Sequence, residues 1–183
     1  MPRVSILMSV YNGEKTLQES LNSIYRQSYT DWELIIINDC STDNSPDILS
    51  SAKAIFYNIK IITNSQNIGL TKSLNKGLLH CSGEYVARID ADDSWNKDKL
   101  KKQVAFLDRN DTYGLVATNS FVIDIKGVNR SYNELDLESD SQLKSAMIKF
   151  NPFVHSSVLF NRRIVEELGG YDESYKYAQD YNL

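Results

Sequence analysis

The chain is poor in the residues that mark several protein classes. Its 183 residues hold two cysteines, Cys40 and Cys81, far apart and outside any Cys-x-x-Cys pair. That excludes a disulfide scaffold and leaves free thiols in a reducing compartment as the plain expectation. Only two histidines occur, His80 and His155, so a multi-histidine zinc centre is excluded as well. Three prolines and eight glycines are too few for a collagen-like chain. Long apolar runs are missing. The run after Met1-Pro2-Arg3 stops at Tyr11-Asn12-Gly13, too short for a signal-peptide core or a bilayer span. A positive excess is missing too. Lys and Arg number 20 against 24 Asp and Glu, a net charge of −4, which argues against nucleic acid as a partner. There is no GxGxxG, no Walker A and no GxSxG. What remains is an ordinary globular composition, 42% apolar and 24% charged. The length suits one domain, able to bury roughly 70% of its unfolded surface.

What is present is an alternation of short apolar runs and helical patterns. Val4–Val10 is β-branched and apolar with no helical period, and residues 14–27 follow with Leu17, Leu21 and Ile24 on one helical face. Residues 33–38 contain Leu34-Ile35-Ile36-Ile37, the run of a strand buried on both faces. A polar turn at 39–44 and a short helix at 45–54 lead to a strand at 58–63. Leu70, Leu74 and Leu78 mark a helix over 70–80, and a strand at 84–89 ends in Asp90-Ala91-Asp92-Asp93. Leu100, Val104 and Leu107 mark the next helix. Such alternation with short connections predicts an α/β fold: a three-layer α/β/α sandwich around a mostly parallel sheet.

After Tyr113 the pattern changes. Residues 115–125 read as one or two strands turned at Lys126-Gly127. Ser139-x-x-Gln142 is a capping box with Leu143 and Met147 facing inward. Val158-Leu159-Phe160 is a short strand, Asn161 caps a helix through Leu168, and Gly169-Gly170 ends it. The expected organisation is a single domain over 1–183.

Ligands of such sheets sit beyond the carboxyl ends of the strands. Three polar clusters fall there: Ser9-Val10-Tyr11-Asn12-Gly13, Asn38-Asp39 and Asp90 to Asp93. The acidic run is not a calcium loop, because Trp95 stands where that loop needs glycine. Two readings of it remain. Alternate carboxylates at a strand end can divide roles, one taking a hard cation and the other a sugar hydroxyl. Alternatively the run is a solvated turn in which Asp93 or Ser94 caps the next helix.

The ordered set of motifs resembles the family 2 inverting glycosyltransferases, of the glycosyltransferase A-type fold. The carrying segments are residues 4–13, 35–45, Asn67-Ile68-Gly69-Leu70, residues 83–93, Gly169-Gly170-Tyr171-Asp172 and Ala178-Gln179-Asp180-Tyr181. The resemblance implies a nucleotide-diphosphate sugar donor, UDP-linked, with Mn²⁺ or Mg²⁺ as cofactor. It implies a glycan or lipid-linked acceptor in bacterial surface polysaccharide synthesis. The implied location is cytoplasmic, with peripheral association at the inner face of the membrane. The family also implies a nucleotide-binding half at 1–112, a partial acceptor-side half at 113–183, and segments beyond Leu183 that cover the acceptor.

The resemblance gives residues roles. Ser9 and Tyr11 match the base-binding loop, where an aromatic face can stack on uracil; a turn tyrosine is the plain alternative. Asp39 matches the carboxylate that accepts the base N–H, against an Asx-turn role of the kind Asp43 fits. Asp92 matches the metal ligand and Asp90 the partner of a ribose hydroxyl. Arg88 shares their strand face and would touch phosphate or form a buried ion pair. Many family members carry Arg-Asn where Leu74-Asn75 stands here, and Lys72 is the nearest cation to replace the missing contact. Asp180 matches the catalytic base, against a helix N-cap role. His155 sits in a recurring family segment as a structural histidine or a substrate contact. A nucleotidyltransferase is not supported, since no Gly-rich, cation-bearing phosphate loop follows the first strand. A nucleotide-binding module without transfer is the rival from another class; intact Asp92 and Asp180 favour the enzyme.

Overall fold

A computed structural model describes residues 1–124, 129–133 and 137–175. Strands β1 (Val4–Val10), β2 (Trp32–Asn38), β3 (Ile59–Thr63) and β4 (Tyr85–Arg88) alternate with helices α1 (Leu17–Tyr25), α2 (Ser45–Ile55) and α3 (Leu70–Leu78). Helix α4 (Lys99–Leu107) and strands β5 (Leu115–Val116), β6 (Ser120–Ile123) and β7 (Asn129–Asn133) come next. The chain then forms α5 (Asp140–Met147), a one-turn helix at His155–Ser157, β8 (Leu159–Asn161) and α6 (Arg162–Glu167). The main sheet has the order β3-β2-β1-β4-β8-β5. β1 to β4 run parallel, and β8 is antiparallel to both its neighbours. This is the expected three-layer α/β sandwich.

Side-chain alternation along β1 builds the layers. Val4, Ile6, Met8 and Val10 point to one face and meet Leu17, Leu21, Ile24, Leu49, Leu100, Val104 and Leu107 of α1, α2 and α4. Leu7 points to the other and meets Ile35, Leu74, Leu78, Val86, Phe160, Val165 and Tyr171. All seven residues of β1 are buried, and each large aliphatic side chain so placed contributes about 1.5–3 kcal/mol. Helix α3 lies so close to the sheet that a Cβ on Gly77 would stand 2.3 Å from Leu7 Cδ1. Glycine is required there by space alone.

Local capping follows the sequence at two helices. The Ser139 hydroxyl accepts the Gln142 amide and Gln142 reaches back, completing the capping box of α5. Asn161 Oδ1 accepts the Arg163 amide at 3.0 Å and starts α6. Gly169 and Gly170 take φ of +90° and +78° just beyond α6, a conformation glycine adopts without penalty. One expectation needs correcting. Helix α4 begins at Lys99 with Asp98 as its N-cap residue, so neither Asp93 nor Ser94 caps it. Residues 115–125 hold two strands, as expected, but in different sheets: β5 is an edge of the main sheet, and among the described residues β6 pairs with β7 alone. Residues Ile125 to Val128, which hold the expected turn, lie outside the described set.

The architecture fixes where a ligand can sit. β1 lies between β2 and β4, with Val10 opposite Asn38 and Leu7 opposite Arg88. The carboxyl ends of these three parallel strands are therefore adjacent, and all three polar clusters emerge there. Among the described residues no helix is long and apolar enough to cross a membrane.

Candidate active site

The loops after β1 and β2 are stitched to each other. Asn12 is in the left-handed region at φ +52°, which asparagine tolerates better than most residues. Its amide donates to Ser41 Oγ at 3.0 Å, and its Oδ1 accepts the Thr42 amide at 2.8 Å. Asp43 Oδ2 accepts the Glu14 amide and its Oδ1 accepts the Ser45 amide, both at 2.9 Å. The second bond is the expected Asx turn. Ser9 is buried at the end of β1, while Tyr11 is 53% exposed on the rim of these loops. Its ring is free to meet a planar ligand.

Asp39, 2% exposed, is the centre of a buried polar network. Its Oδ1 accepts Asn64 Nδ2 at 2.8 Å and the Ile68 amide at 2.9 Å, and its Oδ2 accepts the Gly69 amide at 2.9 Å. The carboxylate thus holds the loop that enters α3, with Gly69 at φ +88°. One oxygen, Oδ2, has a single protein donor and room for another. Asn64 also donates to Ser73 Oγ at 3.0 Å and accepts Lys76 Nζ at 2.7 Å. Lys72 is exposed in the first turn of α3. The cation of the network is Lys76, one turn further on. Asn64 and Lys76 were not singled out by sequence. Their signals were available: Asn64 follows the carboxyl end of β3, and Lys76 is four residues after Lys72 on the same helix face.

The third cluster is held from below. Arg88 is fully buried, pairs with Asp90 through Nη2 and donates from Nη1 to the Ile89 carbonyl. Of its two expected roles, it takes the buried ion pair. The Ser156 hydroxyl accepts the Asp90 amide at 2.8 Å and donates to Asp90 Oδ2 at 3.1 Å. Burial pushes the Asp90 carboxyl up, but Arg88, His155 and the bonds from Arg88 and Ser156 outweigh it and hold it below the usual carboxylate range. Asp93 is pushed up by burial, and the charges of Asp90 and Asp92 add to that. His155 is driven down to about 3 by burial and by Arg88, so its imidazole is neutral near pH 7. Its Nε2 lies 2.9 Å from the Tyr171 hydroxyl.

Asn75 binds the segment beyond α6. Its Oδ1 accepts the Tyr171 amide at 2.9 Å, and its Nδ2 donates to the Tyr171 carbonyl at 2.8 Å and to Glu173 Oε1 at 3.0 Å. A Cβ on Gly170 would meet Asn75 Oδ1 at 2.8 Å, so glycine is needed there for space as well as for φ. Asp180 lies outside the described residues.

Asp92 is exposed at the mouth of the three strand ends. Among the described residues no group of three or more His, Cys, Asp or Glu gathers into a closed metal cage. A hard cation that uses one or two carboxylates and fills its shell with phosphate oxygens and water suits this donor set. Asp92 would hold such a cation, while Asp90 is tied to Arg88 and Ser156. A zinc-type closed site is not what these residues offer.

Residues 5–169 match the family described as glycosyl transferase family 2. The chain belongs to that family. Among curated relatives, EpsE of Bacillus subtilis (strain 168), named for glycosyltransferase activity, is 40% identical over 171 residues. The match covers 93% of this chain and 60% of EpsE. A crystal structure of S. aureus TarS (residues 1–349) in complex with UDP shares the fold. Its TM-score is 0.79 at 24% identity, covering 98% of this chain and 53% of that one. A mannosyltransferase of Pyrobaculum calidifontis, solved with GDP-Man and Mn²⁺, superposes with a TM-score of 0.72 at 26% identity. That match covers 93% of this chain and 48% of the other. The chain therefore spans about half to three-fifths of the length of these relatives.

Proposed function

We propose that this protein is an inverting glycosyltransferase that moves a sugar from a UDP-linked donor to a glycan or lipid-linked acceptor, with a divalent cation, Mn²⁺ or Mg²⁺, at Asp92. The observation that carries the reading is the division of the two carboxylates after β4. Asp90 is ion-paired and hydrogen-bonded, and Asp92 is exposed, on the strand-end loops of a family 2 fold.

The nucleotide-binding half is 1–112 and the acceptor-side half 113–183. Tyr11 stacks on the base, worth ~1–3 kcal/mol, at the end of the strand that carries Ser9. Asp39 accepts the base N–H through the remaining capacity of Oδ2. Asp90 accepts a ribose hydroxyl, and Lys72 faces the phosphates. Asp92 would hold the cation, which when bound would supply positive charge to offset the diphosphate leaving group. Asp180 takes the proton from the acceptor hydroxyl, whose oxygen attacks the anomeric carbon from the side opposite the diphosphate. A single displacement of this kind inverts the configuration. Surface polysaccharide assembly at the inner face of the membrane is the setting in which such an acceptor is met.

Calorimetric titration with UDP, GDP and CDP, each with and without Mn²⁺, tests the proposal. UDP should bind most tightly and gain affinity on adding Mn²⁺. Equal binding of all three nucleotides, or no metal gain, would contradict it.

A further inference from the structure

Ser156 carries no role in the reading above, yet its hydroxyl is committed twice to one residue. It accepts the Asp90 amide at 2.8 Å and donates to Asp90 Oδ2 at 3.1 Å. A hydroxyl has one proton; here it points to Asp90 Oδ2, with the Asp93 carboxylate also in hydrogen-bond reach of the same hydroxyl. Ser156 is itself 5% exposed and clamped. Trp95 Nε1 donates to the Ser156 carbonyl at 2.7 Å, and Gln103 Nε2 donates to the Ser157 carbonyl at 2.8 Å. Trp95 and Gln103 are both buried. From the other side the buried Arg88 takes Asp90 Oδ1.

Both oxygens of Asp90 are therefore oriented by side chains that cannot swing away. Asp92, two residues on, is exposed. The anchor comes from the one-turn helix before β8, an element distant in sequence that crosses behind the acidic loop. We infer that Ser156 is a positioning residue: it fixes Asp90 toward Arg88 and so reserves Asp92 as the carboxylate that meets the cation. This rests on the donor-site reading above.

Isothermal titration of UDP, with and without Mn²⁺, tests it in the parent, Ser156→Ala and Ser156→Thr, with a thermal melt of each. Ser156→Ala should cut the Mn²⁺-dependent gain in UDP affinity by about 10- to 100-fold, the usual scale for a residue that orients a ligand. Its metal-free UDP affinity should fall by less than the metal gain, since Asp90 also meets the ribose hydroxyl. Ser156→Thr keeps the hydroxyl and should recover most of the gain. A purely structural role would lower the melting temperature of Ser156→Ala and leave the metal gain intact, which would overturn the inference. If Ser156→Ala does not fold, Trp95→Phe carries the test. It removes the indole donor to the Ser156 carbonyl, along with some core volume and part of the Lys99 contact, and should give a smaller loss of metal gain; an unchanged gain would overturn the inference. A parent that shows no metal gain would refute the donor-site reading, and this inference with it.

Discussion

Replacing Asn75 with alanine should loosen the segment after α6 and cost about 2 kcal/mol of stability. Asn75 satisfies both the amide and the carbonyl of Tyr171, at 2.9 and 2.8 Å. Tyr171 is 2% exposed, so water cannot replace both bonds without opening the segment. An unpaired buried backbone group costs about 1–3 kcal/mol, and partial relaxation brings the pair toward ~2. The lost bond to Glu173 adds little, since that carboxylate is exposed. For a chain of this size, ~2 kcal/mol lowers the melting temperature by roughly 4–8 °C. Chemical denaturation gives the free energy, and limited proteolysis should show faster cleavage near Glu173 well below the melting point. Asn75→Asp should be worse than alanine, because it loses the donor to the Tyr171 carbonyl and sets a second carboxylate beside Glu173. An alanine variant within about 0.5 kcal/mol of the parent, with unchanged proteolysis, would refute the reasoning.

Lys99 is buried, donates to Gln103 Oε1 at 2.7 Å and lies 4.2 Å from the Trp95 ring centroid. Burial drives it down to about 7. The unfolded chain then holds more protons between about pH 7 and 10.5, so stability should rise with pH across that window. Relative to Lys99→Met, the parent should gain ~2 kcal/mol between pH 7 and pH 9, and parallel curves would show that Lys99 does not titrate there. Asp39→Asn puts an amide NH₂ among three donors, from Asn64, Ile68 and Gly69. It should cost about 2–3 kcal/mol of stability and weaken UDP over CDP discrimination in calorimetry, whereas a fully stable variant would contradict the buried network. Asp180→Asn should lower turnover by at least ~10²-fold with UDP affinity unchanged, and unimpaired turnover would remove Asp180 from the role of base.

The sheet was legible because its core strands are apolar on both faces. Val4–Val10 and the isoleucine run of β2 have no other stable use in a chain this short. The strand-end rule then located the three polar clusters with no structural input. Less legible were the partners inside those clusters. Nothing local in Ser156 distinguishes it from a surface residue, and Asn64 shows only its place after β3, because each acts on a residue 66 or 25 positions away. Arg88 illustrates the same limit. Period-2 alternation gave its face, but only the packing around it decides between phosphate and ion pair. The split of residues 115–125 between two sheets was also invisible, since alternation marks a strand without naming its neighbour.

The central claim is that Asp92 holds the cation that meets the donor diphosphate. Titrating UDP into the parent and Asp92→Asn, each with and without Mn²⁺, measures it directly. The account predicts that Mn²⁺ tightens UDP binding in the parent and leaves Asp92→Asn at its metal-free affinity, with the metal-free values of the two proteins equal. The same Mn²⁺ enhancement in both proteins would contradict it.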